Sequence, residues 1–314
     1  MQPMKVSIVI PVFNEEKSLP LLFEELTSTF KTLKRDAEVI FVDDGSTDNS
    51  ASSLQLLTPG LKMNVKIIRL RRNFGQTAAI AAGIEKAKGN SIVFMDADLQ
   101  NDPADIPKLI KKLDQGFDVV SGWRKNRHDP YFSRVLPSKI ANKIISFVTG
   151  VHLKDYGCTL KAYRREILEN VSLYGEMHRF LPALCVWQGG SIAEIEVTHH
   201  PRKFGKSKYG LIRTFKVILD LITVKFLSFY MTKPIYVFGG IGLLSMGFGV
   251  VIAAYIIYAK LFIHGFYIIE SPLFIVSVFL EIVGVIFVLM GLLAEILVRI
   301  YYESQGKKPY VVRE

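Results

Sequence analysis

Ser91-Ile92-Val93-Phe94-Met95-Asp96-Ala97-Asp98-Leu99-Gln100 sets a short apolar run directly ahead of two carboxylates and a side-chain amide. The run Ile92–Met95 is β-branched and aromatic, so it reads as a buried strand whose acids emerge where it ends. Working outward, Val6–Val12, Val39–Val42, Val65–Leu70 and Val119–Ser121 read as further strands. Leu19–Leu33, Ser50–Leu57, Thr77–Ala87 and Ile106–Leu113 read as the helices between them. Such alternation predicts an α/β fold with a mostly parallel sheet covered on both faces, and ligands of such sheets bind at the carboxyl ends of the strands.

The acids after that strand are a hard-oxygen cluster suited to a divalent cation, Mg2+ or Mn2+, that bridges a diphosphate. If the segment is extended, Asp96, Asp98 and Gln100 project to one side and share one ion. A second acidic pair, Asp43-Asp44, ends the strand Val39–Val42 and runs into Gly45-Ser46-Thr47-Asp48. Gly45 suits a tight turn there, and Thr47 or Asp48 suits a helix cap. No Gly-x-Gly-x-x-Gly run and no Gly-x-x-x-x-Gly-Lys-Ser/Thr loop follows the first strand, which argues against a dinucleotide cofactor and a P-loop ATPase.

Half of the 314 residues are hydrophobic and the net charge is +10. Residues 121–230 hold 18 basic and 8 acidic side chains, whereas 1–120 hold 15 and 16. That excess suits a phosphorylated substrate or an anionic lipid surface, and its place just before long apolar segments favours lipid over nucleic acid. Cys158 and Cys185 have no paired spacing, so a disulfide framework or zinc site is not expected and a reducing compartment fits. The N-terminal stretch lacks the basic region, apolar core and cleavage site of a signal peptide.

Ile235–Ala259 is free of charge and, at about 1.5 Å per residue, spans a hydrocarbon core of roughly 30 Å. Pro272–Val298 is also long enough, although Glu281 and Glu295 interrupt it. Residues 232–301 are therefore expected to form a transmembrane hairpin, with helices over about 234–261 and 272–298 and a tail over 302–314. Glu281 reads either as a lipid-path or oligomer contact, or as a protonated carboxyl bonded to the partner helix. Lys225 and Lys233 precede the hairpin and Arg299, Lys307, Lys308 and Arg313 follow it, which places both termini and the catalytic domain in the cytoplasm. Leu211–Tyr230 mixes Phe215, Ile218, Leu219, Ile222, Phe226 and Phe229 with Arg213, Lys216 and Lys225, the pattern of an interfacial amphipathic helix or of an ordinary core-facing one. Gly239, Gly240, Gly242, Gly247 and Gly249 would permit close packing between helices, including those of a homo-oligomer.

Four ordered motifs, Pro11-Val12-Phe13-Asn14-Glu15-Glu16, Val42–Asp48, Asn73-Phe74-Gly75 and Met95–Gln100, resemble those of family 2 glycosyltransferases with the Rossmann-like GT-A fold. The nearest resemblance is to the polyprenyl-phosphate glycosyltransferases, the group of dolichyl-phosphate mannose synthases and bactoprenol glucosyltransferases, and the two-helix tail is most similar to the bactoprenol branch. It implies a GT-A domain over residues 1–210, a juxtamembrane helix over 211–231, and inverting transfer of a hexose from a nucleotide-sugar to polyprenyl phosphate, with UDP-glucose favoured. Pro11, Val12, Glu15, Asp44 and Asp96 would line the nucleotide-sugar pocket, with Asp44 accepting from the base. Asp96, Asp98 and Gln100 would hold the metal. Arg124, Arg134, Arg202, Ser207 and Lys208 would bind the acceptor phosphate, the last three in a flexible loop able to close over the substrates. Asp98 and Asp155 would be the catalytic carboxylates, Asp155 at the position of a base. An acceptor phosphate has a second pKa of about 6 and is already anionic at neutral pH, so Asp155 is as well suited to orienting groups. His199 and His200 are read as structural.

Three other readings fit the sequence less well. A processive polysaccharide synthase would share the pocket but use more membrane helices. A lipid-binding scaffold leaves Asp96, Asp98 and Gln100 without a purpose, and nucleic-acid binding leaves the hairpin without one. Galactose, mannose or an aminopentose stands as the alternative sugar.

Overall fold

Val6–Val12 forms β1, and six of its seven residues are buried because it lies in the middle of a sheet covered on both sides. In this computed structural model the described residues are 5–33, 35–60, 64–125, 135–169, 177–204, 233–263, 267–269 and 271–305, with isolated positions between them. The chain divides into two units, Met1–Val224 and Lys225–Glu314.

In the first unit β1 is joined by β2 (Ala37–Asp43), β3 (Asn64–Arg69), β4 (Ser91–Phe94), β5 (Val119–Trp123), β6 (Lys161–Arg164) and β7 (Ile192–Glu196). The order across the sheet is β3-β2-β1-β4-β6-β5-β7. β1 runs parallel to β2 and β4, β2 to β3 and β5 to β7, while β6 is antiparallel to both β4 and β5. The sheet is thus mostly parallel but mixed. Val12 stands opposite Asp43 and Val9 opposite Phe94, so β1, β2 and β4 deliver their carboxyl ends to one edge.

Helices cover both faces. Val6, Ile8, Ile10 and Val12 turn to the face packed by α1 (Leu19–Thr32) and α4 (Ile106–Leu113), where Phe23 stacks on Phe41 at 4.9 Å. Val9, Ile40, Ile92 and Phe94 turn to the face of α3 (Gln76–Lys86) and Leu181 and Cys185 of α7 (Leu181–Trp187). This two-sided burial is why the strands read as unbroken apolar runs. α2 (Ser50–Leu57) follows β2, and its N-cap is Asn49 rather than the expected Thr47 or Asp48, although an Asp48 oxygen accepts from Ser50 N–H.

Residues 122–210 contain α5 (Leu136–Thr149), β6, α6 (Arg165–Glu169), α7 and β7 among the described positions. The expected amphipathic helix at Leu211–Tyr230, except for three isolated positions, and residues 306–314 lie outside the described residues.

The second unit is a pair of helices, α8 (Ile235–Phe262) and α9 (Pro272–Gln305), each containing a span long and apolar enough to cross a membrane. They touch through Gly242 and Gly284: a methyl group on either would lie within 2.7 Å of the other's carbonyl oxygen. Ser245 Oγ donates to Leu280 O at 2.8 Å and Ser277 Oγ to Gly249 O at 2.9 Å. Glu281 packs its carboxyl against Gly249 on α8. Side-chain to backbone bonds of this kind satisfy hydroxyls within an apolar pair.

Candidate active site

The loops after β1 and β2 are knitted into one floor. Asn14, in the left-handed region at φ 56°, accepts from Thr47 N–H at 2.8 Å, and its own N–H donates to Ser46 Oγ at 3.0 Å. Glu15 N–H donates to Ser50 Oγ, Glu16 N–H to Asp48, and Asn49 N–H to Glu16. Burial would raise the Asp48 pKa, but hydrogen bonds from Ser50 and Glu16 outweigh it and hold the carboxyl below the usual range. Gly45 allows the turn at φ 67°, and a side chain there would run into the Arg72 backbone. Pro11 and Val12 end β1 beneath this floor, and Asp44 N–H donates to Val12 O.

Asp44 is buried and turns toward the next motif. Its two oxygens accept from Phe74 N–H at 2.8 Å and Gly75 N–H at 2.9 Å, fixing the entry to α3. The residue after that entry reaches the acidic cluster: Gln76 Nε2 donates to Asp96 Oδ1 at 2.7 Å. Thr159 Oγ1 meets Asp96 Oδ2 at 2.7 Å. Two neutral donors from distant loops therefore orient Asp96. Burial first, and the neighbouring Asp98 charge second, push the Asp96 pKa up to about 6.

The segment after β4 is not extended. Leu99 is left-handed at φ 62°, a strained conformation for a buried leucine, and the bend separates what simple alternation would have put together. Asp98 Oδ2 and Gln100 Oε1 both lie on Arg202 Nη2, at 2.5 and 3.2 Å, while Asp96 is turned to Gln76 and Thr159. Gln100 also touches the buried His199 at 3.4 Å, and His200 meets Asp102 at 3.3 Å.

No group of three His, Cys, Asp or Glu side chains among the described residues is placed to hold a metal ion. The residues present still fit a divalent ion bound together with a diphosphate. Asp98 and Gln100 already converge on a cation, Asp96 carries charge that its surroundings oppose, and such ions are commonly held by one or two carboxylates with phosphate and water completing the shell.

Arg124 follows β5 and lies bidentately on Asp155, Nε to Oδ2 at 2.7 Å and Nη2 to Oδ1 at 3.0 Å. Their side chains are 13% and 4% exposed. Asp155 is thus the partner of the cation expected at the acceptor phosphate. Lys161 Nζ, itself buried, donates to the carbonyls of Tyr156 and Cys158 and pins the loop that carries Asp155 and Thr159. Burial lowers the Lys161 pKa. Beneath α3, His178 Nδ1 lies 2.7 Å from Thr77 Oγ1, and burial drops its pKa to about 3, so the ring is neutral.

Asp96 is thus held by Gln76 and Thr159, Asp98 and Gln100 are held by Arg202, and the Asp98, Arg124 and Arg202 charges all act on Asp96. Pro11, Val12 and Glu15 sit at the adjoining end of β1. Arg134, Ser207 and Lys208 lie outside the described residues. Gln76, Thr159 and Lys161 were not singled out from sequence. Gln76 directly follows Asn73-Phe74-Gly75 and Thr159 lies within Asp155–Lys161, and adjacency to those motifs is the signal that could have found them.

The family model for glycosyl transferase family 2 matches residues 7–172. Dodecaprenyl-phosphate galacturonate synthase of Rhizobium johnstonii is 43% identical over all of this chain and 93% of its own length. Undecaprenyl-phosphate 4-deoxy-4-formamido-L-arabinose transferase of Photorhabdus laumondii is 37% identical over 99% of this chain and 94% of its own. Among solved structures, glucosyl-3-phosphoglycerate synthase from Mycobacterium tuberculosis with UDP superposes with a TM-score of 0.53 at 17% identity, covering 71% of this chain and 80% of that one. The same enzyme with Mn2+ and UDP-glucose gives 0.52 at 16% identity, covering 72% and 79%. The GT-A-like fold is thereby shared.

Proposed function

The chain belongs to glycosyl transferase family 2, and from that premise we propose that it moves a sugar from a nucleotide-sugar to a polyprenyl phosphate at a membrane surface. The observation that carries this reading is the convergence of Asp96, Asp98, Gln100, Arg124 and Arg202 at the carboxyl edge of β4 and β5, in a chain that also carries two membrane-length helices. The acids suit the diphosphate of a donor through a divalent ion, and the arginines suit the phosphate of an acceptor, because a guanidinium grips phosphate oxygens in pairs.

In this reading Pro11, Val12, Glu15 and Asp44 frame the nucleotide, and the Asp44 hydrogen bonds to Phe74 and Gly75 hold that pocket in shape. Asp96, Asp98 and Gln100 would hold Mg2+ or Mn2+, which when bound supplies charge neutralisation for the departing diphosphate. Arg124, oriented by Asp155, positions the acceptor phosphate. A phosphate oxygen, anionic at neutral pH, attacks the anomeric carbon in line with the leaving group and inverts the configuration. Asp155 serves as an anchor for Arg124 more readily than as a base, since both of its oxygens are engaged.

UDP is proposed as the nucleotide. For the sugar, the relatives' names favour galacturonate or 4-deoxy-4-formamido-L-arabinose over the glucose suggested by the two-helix tail. Cytoplasmic placement of the catalytic unit rests on the basic residues flanking the hairpin. α5 supports work at a lipid surface: Ile140, Ile144 and Phe147 are exposed in a stripe beside the exposed Lys139 and Lys143. The test is a radiolabelled donor supplied with polyprenyl phosphate. Label should move into the lipid phase and Asp98→Ala should abolish the transfer, whereas donor hydrolysis without a lipid product would sink the reading.

A further inference from the structure

Arg202 occupies the position at which Asp98 and Gln100 would meet a divalent ion. Its Nη2 bridges their oxygens, its side chain is 20% exposed, and its Nε is buried with no hydrogen-bond partner among the described residues. A guanidinium settled in a permanent structural role would have that N–H satisfied, because leaving a buried donor unpaired is unfavourable. The contact also leaves charge uncompensated. Arg202 brings one positive charge to a cluster of two carboxylates, Asp96 and Asp98, and contacts only Asp98 of the two. The other nearby arginine, Arg124, is paired with Asp155.

We propose that Arg202 is the resident counter-ion of the metal site and that it exchanges with the divalent ion. Arg202 engages Asp98 Oδ2 and Gln100 Oε1, the oxygens these residues would offer an ion, so the two cations would exclude each other. Ion entry replaces a single charge by a double one and releases a planar, permanently charged fork beside the reaction centre, where a phosphate dianion is a better partner than a vacated carboxylate. The consequence is an order of events: donor and ion bind first, and only then is Arg202 available to the acceptor phosphate. Arg202 therefore acts as a positioning residue that links occupation of one substrate site to competence of the other. This rests on the transferase reading above and adds the exchange to it.

The experiment is Mn2+ binding to the full chain in detergent, without nucleotide, followed by the electron paramagnetic resonance signal of free Mn2+. Arg202→Met and Arg202→Gln remove the competing charge, and each should bind Mn2+ about tenfold or more tightly than the unaltered protein, the scale of one charge-assisted hydrogen bond. Asp98→Asn combined with either should erase the gain. Equal or weaker binding by both folded variants overturns the exchange. Glycolipid formation by the unaltered protein in excess chelator overturns it as well, by showing that Arg202 itself does the work of the ion, while leaving the transferase reading intact.

Discussion

Replacing Asp155 by asparagine separates two roles that the sequence left open, because the substitution keeps the size of the side chain and removes its charge. Asp155 and Arg124 meet through two contacts of 2.7 and 3.0 Å with little solvent access. Stranding one partner of a buried pair costs on the order of 3–5 kcal/mol, and an amide that still accepts one hydrogen bond should reduce this to about 2–3 kcal/mol. For a unit of this size that is a fall in melting temperature of roughly 4–12 °C. If Asp155 anchors Arg124, Asp155→Asn raises the acceptor KM about tenfold or more and leaves kcat within roughly tenfold, with the pH profile unchanged. Arg124→Met should then add little to Asp155→Asn, a coupling of about 2 kcal/mol in the double-variant cycle. A general base would behave differently, losing about 10²–10⁴ in kcat at constant acceptor KM. That result, with additive effects of the two substitutions, would refute the anchor.

Asp96→Asn should stabilise the metal-free protein at pH 7.5. The folded-state pKa of Asp96 is raised from 3.8 to about 6, so its ionised form opposes folding above that range, with a ceiling of about 3 kcal/mol and a net gain nearer ~1 kcal/mol once weakened hydrogen bonds are counted. Melting curves in chelator should show the gain shrinking as pH falls through 6 and 3.8 and gone by about pH 3, where Asp96 is protonated in both states; a gain that persists there would contradict the assignment. Asp44→Ala removes the acceptor of the Phe74 and Gly75 N–H groups and loosens the entry to α3, and calorimetry should register about tenfold weaker UDP binding, with Asp44→Asn intermediate. Gly284→Leu forces a side chain onto the Gly242 carbonyl and should cost the helix pair about 1–3 kcal/mol, read as a lower melting temperature in detergent, whereas an unchanged melt would argue against that contact.

The strands β1, β2, β4 and β5 were legible because burial on both faces selects apolar runs such as Ile8–Ile10 and Val39–Val42, and the half-buried edge strand β3 showed through Val65, Ile67 and Ile68. β6 and β7 were not. β6 is four residues long and opens with a buried lysine, and β7 alternates Ile192 and Ala193 with Glu194 and Glu196 at the sheet edge. α5 was missed because its outward face is apolar, with Ile140, Ile144 and Phe147 where a soluble helix would be polar. Within the site, carboxylates were readable from their place after a strand. Their orientation was not, since Asp96 takes it from Gln76 and Thr159, 20 and 63 residues away, and the bend comes from a single left-handed Leu99. Contacts of that separation leave no local periodicity.

The most direct measurement is mass spectrometry of lipids after the detergent-purified protein meets a polyprenyl phosphate, Mg2+ or Mn2+, and a panel of nucleotide-sugars that includes UDP-galacturonate, UDP-4-deoxy-4-formamido-L-arabinose and UDP-glucose. A polyprenyl monophosphate carrying one sugar from one preferred donor is the predicted product. Folded protein that leaves the lipid unaltered with every donor would contradict the account.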